Sequence, residues 1–425
     1  MTSPSSKTSR KVVVLCPFWQ QQGNAGFPRI ERYVRWLADA GAQVCVICAG
    51  SSDRTVRQPW GCELVIKDPA KLYPDALSER TASSGTTRKP NRLRRWLAYQ
   101  LYSPDPTIIW SKRVARHPSV TDVCRSATHI LSSSPPESTH LAARALAQRH
   151  ELQWIMDMRD GWLDEPLRPA LTRSALRRWR EARLERQCLQ LSHQIVVSSN
   201  AWQTLLRTRY PEQVANIRVI TNAYPLSERQ PDQQALAQAA PTTLPHLVYA
   251  GKFSGSDPRR QAGKLLQPLL DALGATQSRG VVRLIGSYTE SDRRCFEALA
   301  PAYAQQQWQL EQLEPVPRAE LLVQLGAANG LLLLSTSGAA LPAKLFEYLP
   351  TGLPVLLAAA PGSAAWQLCE PLAQVHRLAL DAAPDQQQRT AAAFLASVLR
   401  REQFEAPAEL HDAFIGVKIK SLLQA

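Results

Sequence analysis

The sequence predicts an α/β protein with two doubly wound, mostly parallel sheets. Its 425 residues are enough for two such domains, each with its own hydrophobic core. In both halves, short apolar strand patterns alternate with longer helical patterns, as in βαβ units. A stretch rich in Gln, Pro and Ala separates the halves. We therefore expect a first domain over 1–228 that includes a C-terminal helix at about 405–425, a linker over 229–245 and a second domain over 246–404.

The chain opens with an expected βαβ unit. Lys11–Cys16 is an apolar strand, Arg29–Ala40 has a helical pattern, and Gln43–Cys48 is the next strand. The loop before the helix carries no G-x-G-x-x-G fingerprint. Its Gly26 nevertheless lies beside a helix N-terminus, where the backbone can approach a phosphate or an acceptor closely.

A later strand of the first half ends in charged residues. Trp154–Met156 reads as a strand and runs into Asp157, Arg159 and Asp160. Ligands of open α/β sheets bind beyond the carboxyl ends of the strands. These groups could therefore bind sugar hydroxyls or serve as a base. The alternative is a structural Asp–Arg pair that holds the loop. The other elements predicted in this half are strands at Thr128–Ser134, Gln194–Ser199 and Ile217–Ile220, and helices at about 138–149 and 171–191.

The net charge of +14 is concentrated in the first half. Residues 1–240 contain 34 Lys and Arg against 20 Asp and Glu, whereas 241–425 contain 16 of each. A basic half predicts an anionic partner such as phospholipid headgroups, a phosphate-linked acceptor or nucleic acid. Within an arginine- and aromatic-rich run, Leu93–Leu101 has a helical pattern that suits either an anionic membrane interface or an ordinary solvated surface.

Composition excludes several classes of protein. No run approaches 18 apolar residues, and the first ten residues lack the apolar core of a signal peptide. The eight cysteines are scattered, and Cys45 and Cys48 point to opposite faces of a strand, which argues against a metal or redox pair. We expect a protein of a reducing, cytoplasmic compartment.

The second half begins with a strand, His246–Ala250, followed by glycines and cations. Such a loop between a strand and a helix suits a diphosphate, because backbone N–H groups and positive side chains both attract its oxygens. The residues concerned are Gly251, Lys252, Arg259, Arg260 and Lys264.

The most informative stretch of the chain is Leu331–Leu357, which predicts a strand, a small-residue turn, a helix opened by Pro342, and a second strand. Ser337 and Gly338 lie in the turn. Glu347, in the helix, can accept hydrogen bonds from the vicinal hydroxyls of a ribose. The alternative is an ordinary βαβ unit with a solvated Lys and Glu.

Two doubly wound halves with a nucleotide-type site in the second resemble the GT-B glycosyltransferases, which implies two Rossmann-like domains facing a central cleft. The motifs, over nearly the whole chain, resemble glycosyltransferase family 4-like enzymes of the bacterial surface-polysaccharide type. They are Pro104-Asp105-Pro106, Ser133-Ser134-Pro135-Pro136-x-Ser138-x-His140, Asp157-x-Arg159-Asp160-x-Trp162, Val219-Ile220-x-Asn222, Tyr249-x-Gly251 and Pro342-x-Lys344-Leu345-Phe346-Glu347-Tyr348-Leu349-x-x-Gly352-x-Pro354-Val355.

The resemblance implies transfer of a hexosyl group from a nucleotide-diphosphate sugar, with retention of configuration and with neither metal nor cofactor. Glu347 would hold the donor ribose, and Lys344 and Leu345 would belong to the same donor-binding site. Lys252, with Arg259 or Arg260 and Lys264, would neutralise the diphosphate, and the backbone after Ser337 and Gly338 would approach the donor. The acceptor side would contain the catalytic group Asp157, Arg159, Asp160 and His140.

The sequence departs from the family at one position. Members of the family often have two glutamates in this stretch, and the first of them helps to position the donor sugar. The residue at that first position is Ala339 in this chain. A nucleotide-sugar epimerase and a non-catalytic binding protein therefore stay open as alternatives. Zinc, helix-turn-helix and RNA-module signatures are missing, which disfavours nucleic acid. The basic half suits a saccharide or polyprenyl-linked acceptor at the inner face of the cytoplasmic membrane.

Overall fold

The computed structural model describes residues 10–20, 27–73, 102–164, 174–224, 244–275 and 278–424. The chain forms two compact units: the first comprises Met1–Ser198, Trp202–Thr221 and Ile415–Ala425, and the second comprises Ser199–Ala201 and Asn222–Phe414. Gly26, the helix expected over 93–101 and the linker residues 229–243 lie outside the described residues.

The described part of the first unit contains an eight-stranded sheet of order β3-β4-β2-β1-β5-β6-β7-β8. All neighbouring strands are parallel except β3 and β4. The strands are β1 (Lys11–Leu15), β2 (Gln43–Gly50), β3 (Arg54–Gln58), β4 (Gly61–Lys67), β5 (His129–Ser134), β6 (Gln153–Met158), β7 (Gln194–Val197) and β8 (Ile217–Val219).

The apolar runs become central strands because both faces of a parallel sheet are covered. Val13 of β1 pairs with Cys45 on one side and Ile130 on the other, and all three are buried. The helices of this unit are α1 (Phe27–Asp39), α2 (Ile108–Val114), α3 (Pro118–Arg125), α4 (Ser138–His150), α5 (Ala175–Leu191) and α6 (Asn200–Arg209).

The described part of the second unit contains a six-stranded sheet of order β11-β10-β9-β12-β13-β14, in which all neighbouring strands are parallel. Its strands are β9 (His246–Ala250), β10 (Gly280–Ile285), β11 (Trp308–Leu313), β12 (Gly330–Ser335), β13 (Val355–Ala359) and β14 (Val375–Ala379). The helices are α7 (Gly263–Leu273), α8 (Glu290–Gln305), α9 (Arg318–Gly326), α10 (Leu345–Tyr348), α11 (Ala364–Cys369), α12 (Pro384–Leu399) and α13 (Asp412–Ser421), the last of which continues into the first unit.

Two predicted helices are shorter than expected. The helix expected to open at Pro342 is α10, a single turn followed by a 3-10 turn over Leu349–Thr351, and Gly352 with φ of +69° ends it. The C-terminal helix expected at about 405–425 is interrupted by Pro407, which lacks a donor N–H, so that a 3-10 turn over Ala408–Leu410 precedes α13. Among the described residues, no helix is both long and apolar enough to cross a membrane.

Candidate functional site

Asp157, near the carboxyl end of β6, is completely buried and ion-paired. Its Oδ1 lies 2.6 Å from Arg29 Nη2 of α1, and its Oδ2 lies 3.1 Å from Arg29 Nε. The hydroxyls of Tyr33 and Ser133 donate to it at 3.1 and 2.7 Å. Burial alone would raise the pKa of Asp157, but the Arg29 charge and these hydrogen bonds hold it below the ordinary value. The structure thus pairs Asp157 with Arg29, whereas Arg159 pairs with Asp160.

His140, in the first turn of α4, is also fully buried. Its Nδ1 lies 2.8 Å from the Ser132 hydroxyl, which accepts a hydrogen bond of 2.8 Å from Trp154 Nε1. Burial lowers the pKa of His140 to about 3, so the imidazole is neutral at pH 7. Within the described residues its Nε2 has no hydrogen-bond partner.

Arg159 and Asp160 are the more accessible members of this cluster. Arg159 Nε lies 3.2 Å from Asp160 Oδ2, and the Ser198 hydroxyl donates to the Arg159 carbonyl at 2.8 Å. At the next position, Gly161, a Cβ atom would lie 2.2 Å from the ring of Trp202, so only glycine fits without a shift. The loop therefore has a fixed backbone that carries two charged side chains.

In the second unit, the loops after β9 and β10 approach each other closely. Gly251 follows β9 with φ of +140°, a conformation that favours glycine. A Cβ on Gly286, which follows β10, would lie 2.0 Å from the Gly251 carbonyl oxygen. At this part of the carboxyl edge of the sheet, Gly251 and Gly286 therefore present backbone without side chains.

Asp257 joins the loop after β9 to the loop after β12. Its carboxylate accepts hydrogen bonds from Arg259 Nε and Nη2 at 3.1 and 3.0 Å and from the Thr336 hydroxyl at 2.7 Å. Asp257 is buried, which alone would raise its pKa, but the hydrogen bonds from Arg259 and Thr336 lower it below the ordinary value. This carboxylate aims Arg259 and fixes the small-residue turn.

The other expected diphosphate cations surround the same loop. Arg260 Nη1 donates to the Ser256 hydroxyl at 3.0 Å, and Lys264 Nζ donates to the Arg259 carbonyl at 3.1 Å. Lys252 is exposed beside Gly251. The structure therefore places these cations on or next to one loop, in agreement with their short sequence spacing.

Glu347 is held by two cations. Its Oε1 lies 2.6 Å from Arg318 Nη1, at the start of α9, and its Oε2 lies 2.8 Å from Lys344 Nζ. Only 15% of the Glu347 side chain is exposed. The neighbouring Tyr348 is buried, and its hydroxyl accepts a 2.8 Å hydrogen bond from the Ala250 N–H at the end of β9. Leu345 is also buried, so α10 is anchored to the sheet while Glu347 stays partly accessible.

The turn after β12 is held by hydrogen bonds to Ser337 and Gly338. The Ser337 hydroxyl accepts a hydrogen bond from the Ala340 N–H at 2.9 Å, and the Gly338 carbonyl accepts one from the Ala364 N–H at 2.8 Å. Apart from its chain neighbours, no heavy atom of the described residues lies within 4 Å of a Cβ built on Gly338, so this position is open. Ala339 contributes no carboxylate.

Four residues of these clusters did not follow from the sequence patterns: Arg29, Tyr33, Asp257 and Arg318. Of the four, Asp257 is the one that the sequence could have indicated, because a carboxylate between two glycines and two arginines is unusual in a loop expected to bind a diphosphate. The others reach carboxylates that are distant in sequence: Arg29 and Tyr33 contact Asp157, and Arg318 contacts Glu347.

Comparison with protein families gives a match over residues 28–223 to the glycosyl transferase 4-like domain. No curated protein matches the chain significantly in sequence.

Solved structures resemble the whole chain. Sucrose-phosphate synthase from Thermosynechococcus elongatus is 14% identical with a TM-score of 0.61, over 98% of both chains. HepE from Anabaena, in complex with UDP and glucose, is 13% identical with a TM-score of 0.51, over 98% of this chain and 99% of HepE. WaaG, a glycosyltransferase involved in lipopolysaccharide biosynthesis, is 12% identical with a TM-score of 0.53, over 97% and 95% of the chains. Residues 28–223 therefore match the glycosyl transferase 4-like domain, and the whole chain has the GT-B fold with two Rossmann-like domains.

Proposed function

We propose that the chain transfers a hexosyl group from a nucleoside-diphosphate sugar to a saccharide or lipid-linked saccharide, in the synthesis of a cell-surface polysaccharide or glycolipid. The observation that carries this proposal is the oriented carboxylate of Glu347, held by Arg318 and Lys344 beside a parallel sheet. The UDP and glucose bound by HepE and the lipopolysaccharide role of WaaG support the donor and product classes.

The donor would bind in the second unit. Glu347 would accept hydrogen bonds from the ribose hydroxyls, since each carboxylate oxygen can accept more than one. Arg259, aimed by Asp257, would pair with the diphosphate, together with Lys252, Arg260 or Lys264. Arg318 acts here as a positioning residue for Glu347.

Transfer would break the bond between the anomeric carbon and the diphosphate oxygen, and both electrons of that bond would remain on the diphosphate. Cations already placed around the developing charge lower the barrier directly. The protein then needs no nucleophile and no metal. The acceptor hydroxyl oxygen forms the new bond to the anomeric carbon on the face that the diphosphate leaves, which retains the configuration, and its proton passes to the departing diphosphate oxygen.

The acceptor would bind to the first unit, over residues 1–228. Arg159 and Asp160 are accessible enough to contact acceptor hydroxyls. Asp157 and His140 are buried, and they would act by holding the loop that carries Arg159 and Asp160. A phosphate-linked acceptor and an anionic membrane on the cytoplasmic side both suit the basic first half.

One observation favours a second candidate, a protein that binds the donor without transferring its sugar. Ala339 leaves the donor sugar without the carboxylate that such a turn often presents. An epimerase would also use the donor alone.

The test is a thermal-shift panel of nucleoside diphosphates and their sugars, followed by product analysis. A ligand at about a hundred times its dissociation constant stabilises the native state by about 2.7 kcal/mol. Selective stabilisation by one nucleotide that is lost in Glu347→Gln, with a new glycoside formed only when a saccharide acceptor is present, is the expected result. Stabilisation without any product would favour the binding protein, a new sugar from donor alone would favour the epimerase, and no stabilisation would refute the donor site.

A further inference from the structure

Helix α5 has its charged side chains inside the first unit. Arg177, Glu181 and Glu185 follow at intervals of four residues, so they share one face, and all three are buried. Arg177 Nε pairs with Glu181 Oε1 at 2.9 Å, and Glu185 accepts a 2.6 Å hydrogen bond from the Tyr210 hydroxyl. The buried face of the N-terminal half of α5 is therefore polar.

The opposite face of the same half is exposed and carries two large apolar side chains. Leu176 is 57% exposed and Trp179 is 58% exposed. Arg180 and Arg183 lie at helical spacing from them and are exposed, and the Arg183 guanidinium lies 5.8 Å from the Trp179 ring centroid. These four residues, Leu176, Trp179, Arg180 and Arg183, define the α5 patch. This arrangement is the reverse of an ordinary surface helix, in which the apolar stripe faces the core.

A further exposed aromatic residue lies near the start of α5. Arg177 Nη2 donates to the carbonyls of Tyr102 and Pro104 at 3.1 and 3.2 Å. Tyr102 is 37% exposed. The buried Arg177 thus ties this segment to the helix that carries the α5 patch.

We infer that the α5 patch docks on the surface of an anionic phospholipid bilayer. Trp and Leu side chains insert at the boundary between headgroups and acyl chains, while arginines beside them pair with lipid phosphates. The charge complementarity is not confined to the patch, because the entire net charge of +14 lies in the first 240 residues. The inference extends the membrane contact of the proposed function and names the residues that make it.

The inference can be tested by co-sedimentation of the full chain with vesicles of phosphatidylglycerol and phosphatidylcholine, and with phosphatidylcholine alone. An arginine near an anionic surface contributes about fivefold to affinity. We expect Arg180→Gln with Arg183→Gln to bind anionic vesicles about 25-fold more weakly, and Trp179→Ala about tenfold more weakly. Arg293→Gln with Arg294→Gln removes the same charge from exposed α8, and Val323→Ala trims an exposed residue of α9, so both control variants should bind like wild type.

Three outcomes would overturn the inference. The test and control variants could lose vesicle affinity equally, or the chain could bind neutral and anionic vesicles equally. The chain could also fail to bind vesicles and instead form a dimer in analytical ultracentrifugation that Trp179→Ala dissociates. Nucleotide-induced thermal shifts of the same variants separate this question from the proposed function. They should equal the wild-type shifts, because the patch contains none of the donor-site residues.

Discussion

Arg318 Nη1 lies 2.6 Å from one carboxylate oxygen of Glu347, while Lys344 Nζ lies 2.8 Å from the other. Arg318 is about half exposed, so the ion pair adds little to the free energy of folding. It does fix the direction of the carboxylate. Because an ionised carboxylate oxygen has two lone-pair directions, each oxygen can accept a ribose hydroxyl beside its cation.

Glu347→Gln should weaken binding of the preferred nucleoside diphosphate by about tenfold or more, since hydrogen bonds to charged groups contribute about 1.5–3 kcal/mol. Arg318→Gln leaves the carboxylate in place and should weaken binding only by about threefold, through lost orientation. Isothermal titration calorimetry measures both effects. Glu320→Gln, two residues along α9 and exposed, is the control and should bind like wild type. Unchanged affinity in Glu347→Gln would exclude it as the ribose ligand.

Asp257→Asn should weaken diphosphate binding but not nucleoside binding. The change removes the charge that aims Arg259 and weakens the link to Thr336, both of which concern the phosphate side of the donor. We expect about tenfold lower affinity for the nucleoside diphosphate and the same affinity for the nucleoside, whereas Glu347→Gln should weaken both. Asp271→Asn, at an exposed position of α7, provides the control. A parallel loss for nucleoside and diphosphate in Asp257→Asn would show that the loop has collapsed rather than lost a phosphate contact.

The central strands could be predicted because both of their faces are buried, so that β1 and β12 are continuous apolar runs. Strand β3 could not be predicted in this way. Its sequence, RTVRQ, is polar, and it forms an antiparallel edge pair with β4 in which no residue is fully buried on the β3 side. Its existence depends on a partner strand rather than on its own pattern.

The site residues also divide into those that follow from local sequence patterns and those that depend on distant partners. The cations after β9 could be predicted because the strand and the helix that flank them are local patterns. The partner of Asp157 could not, because Arg29 precedes it by 128 residues and a nearer arginine, Arg159, offered a simpler pairing. Long-range ion pairs become visible only when the strand order is known, since β1 and β6 flank β5.

His140 should make stability depend on pH between about 6.5 and about 3, a window that begins above the range in which carboxylates titrate. Its pKa is lowered by burial from 6.5 to about 3, so the unfolded chain binds a proton that the folded chain does not. The stability contributed by neutral His140 is complete above about pH 6.5 and is lost as the pH falls toward about 3. Urea denaturation from pH 7 to 4.5 should show a slope for wild type that exceeds that of His140→Gln by up to about 1.4 kcal/mol per pH unit. Identical slopes would contradict a buried neutral imidazole.

Asp157→Asn should be the most destabilising of these single changes. It leaves the Arg29 guanidinium buried without its counter-charge, and breaking a buried ion pair costs about 3–5 kcal/mol. Asp160→Asn is the matched control in the same loop, and at a partly exposed position it should change the free energy of unfolding by less than about 0.5 kcal/mol. The pH dependence differs from that of His140. Because the pKa of Asp157 is lowered, its contribution persists above the ordinary carboxyl value of 3.8 and is lost only as the pH falls through its lower native value. If urea denaturation at pH 7 showed equal stability for both asparagine variants, Asp157 would not hold the loop, and a direct role toward the acceptor would become the better account of that carboxylate.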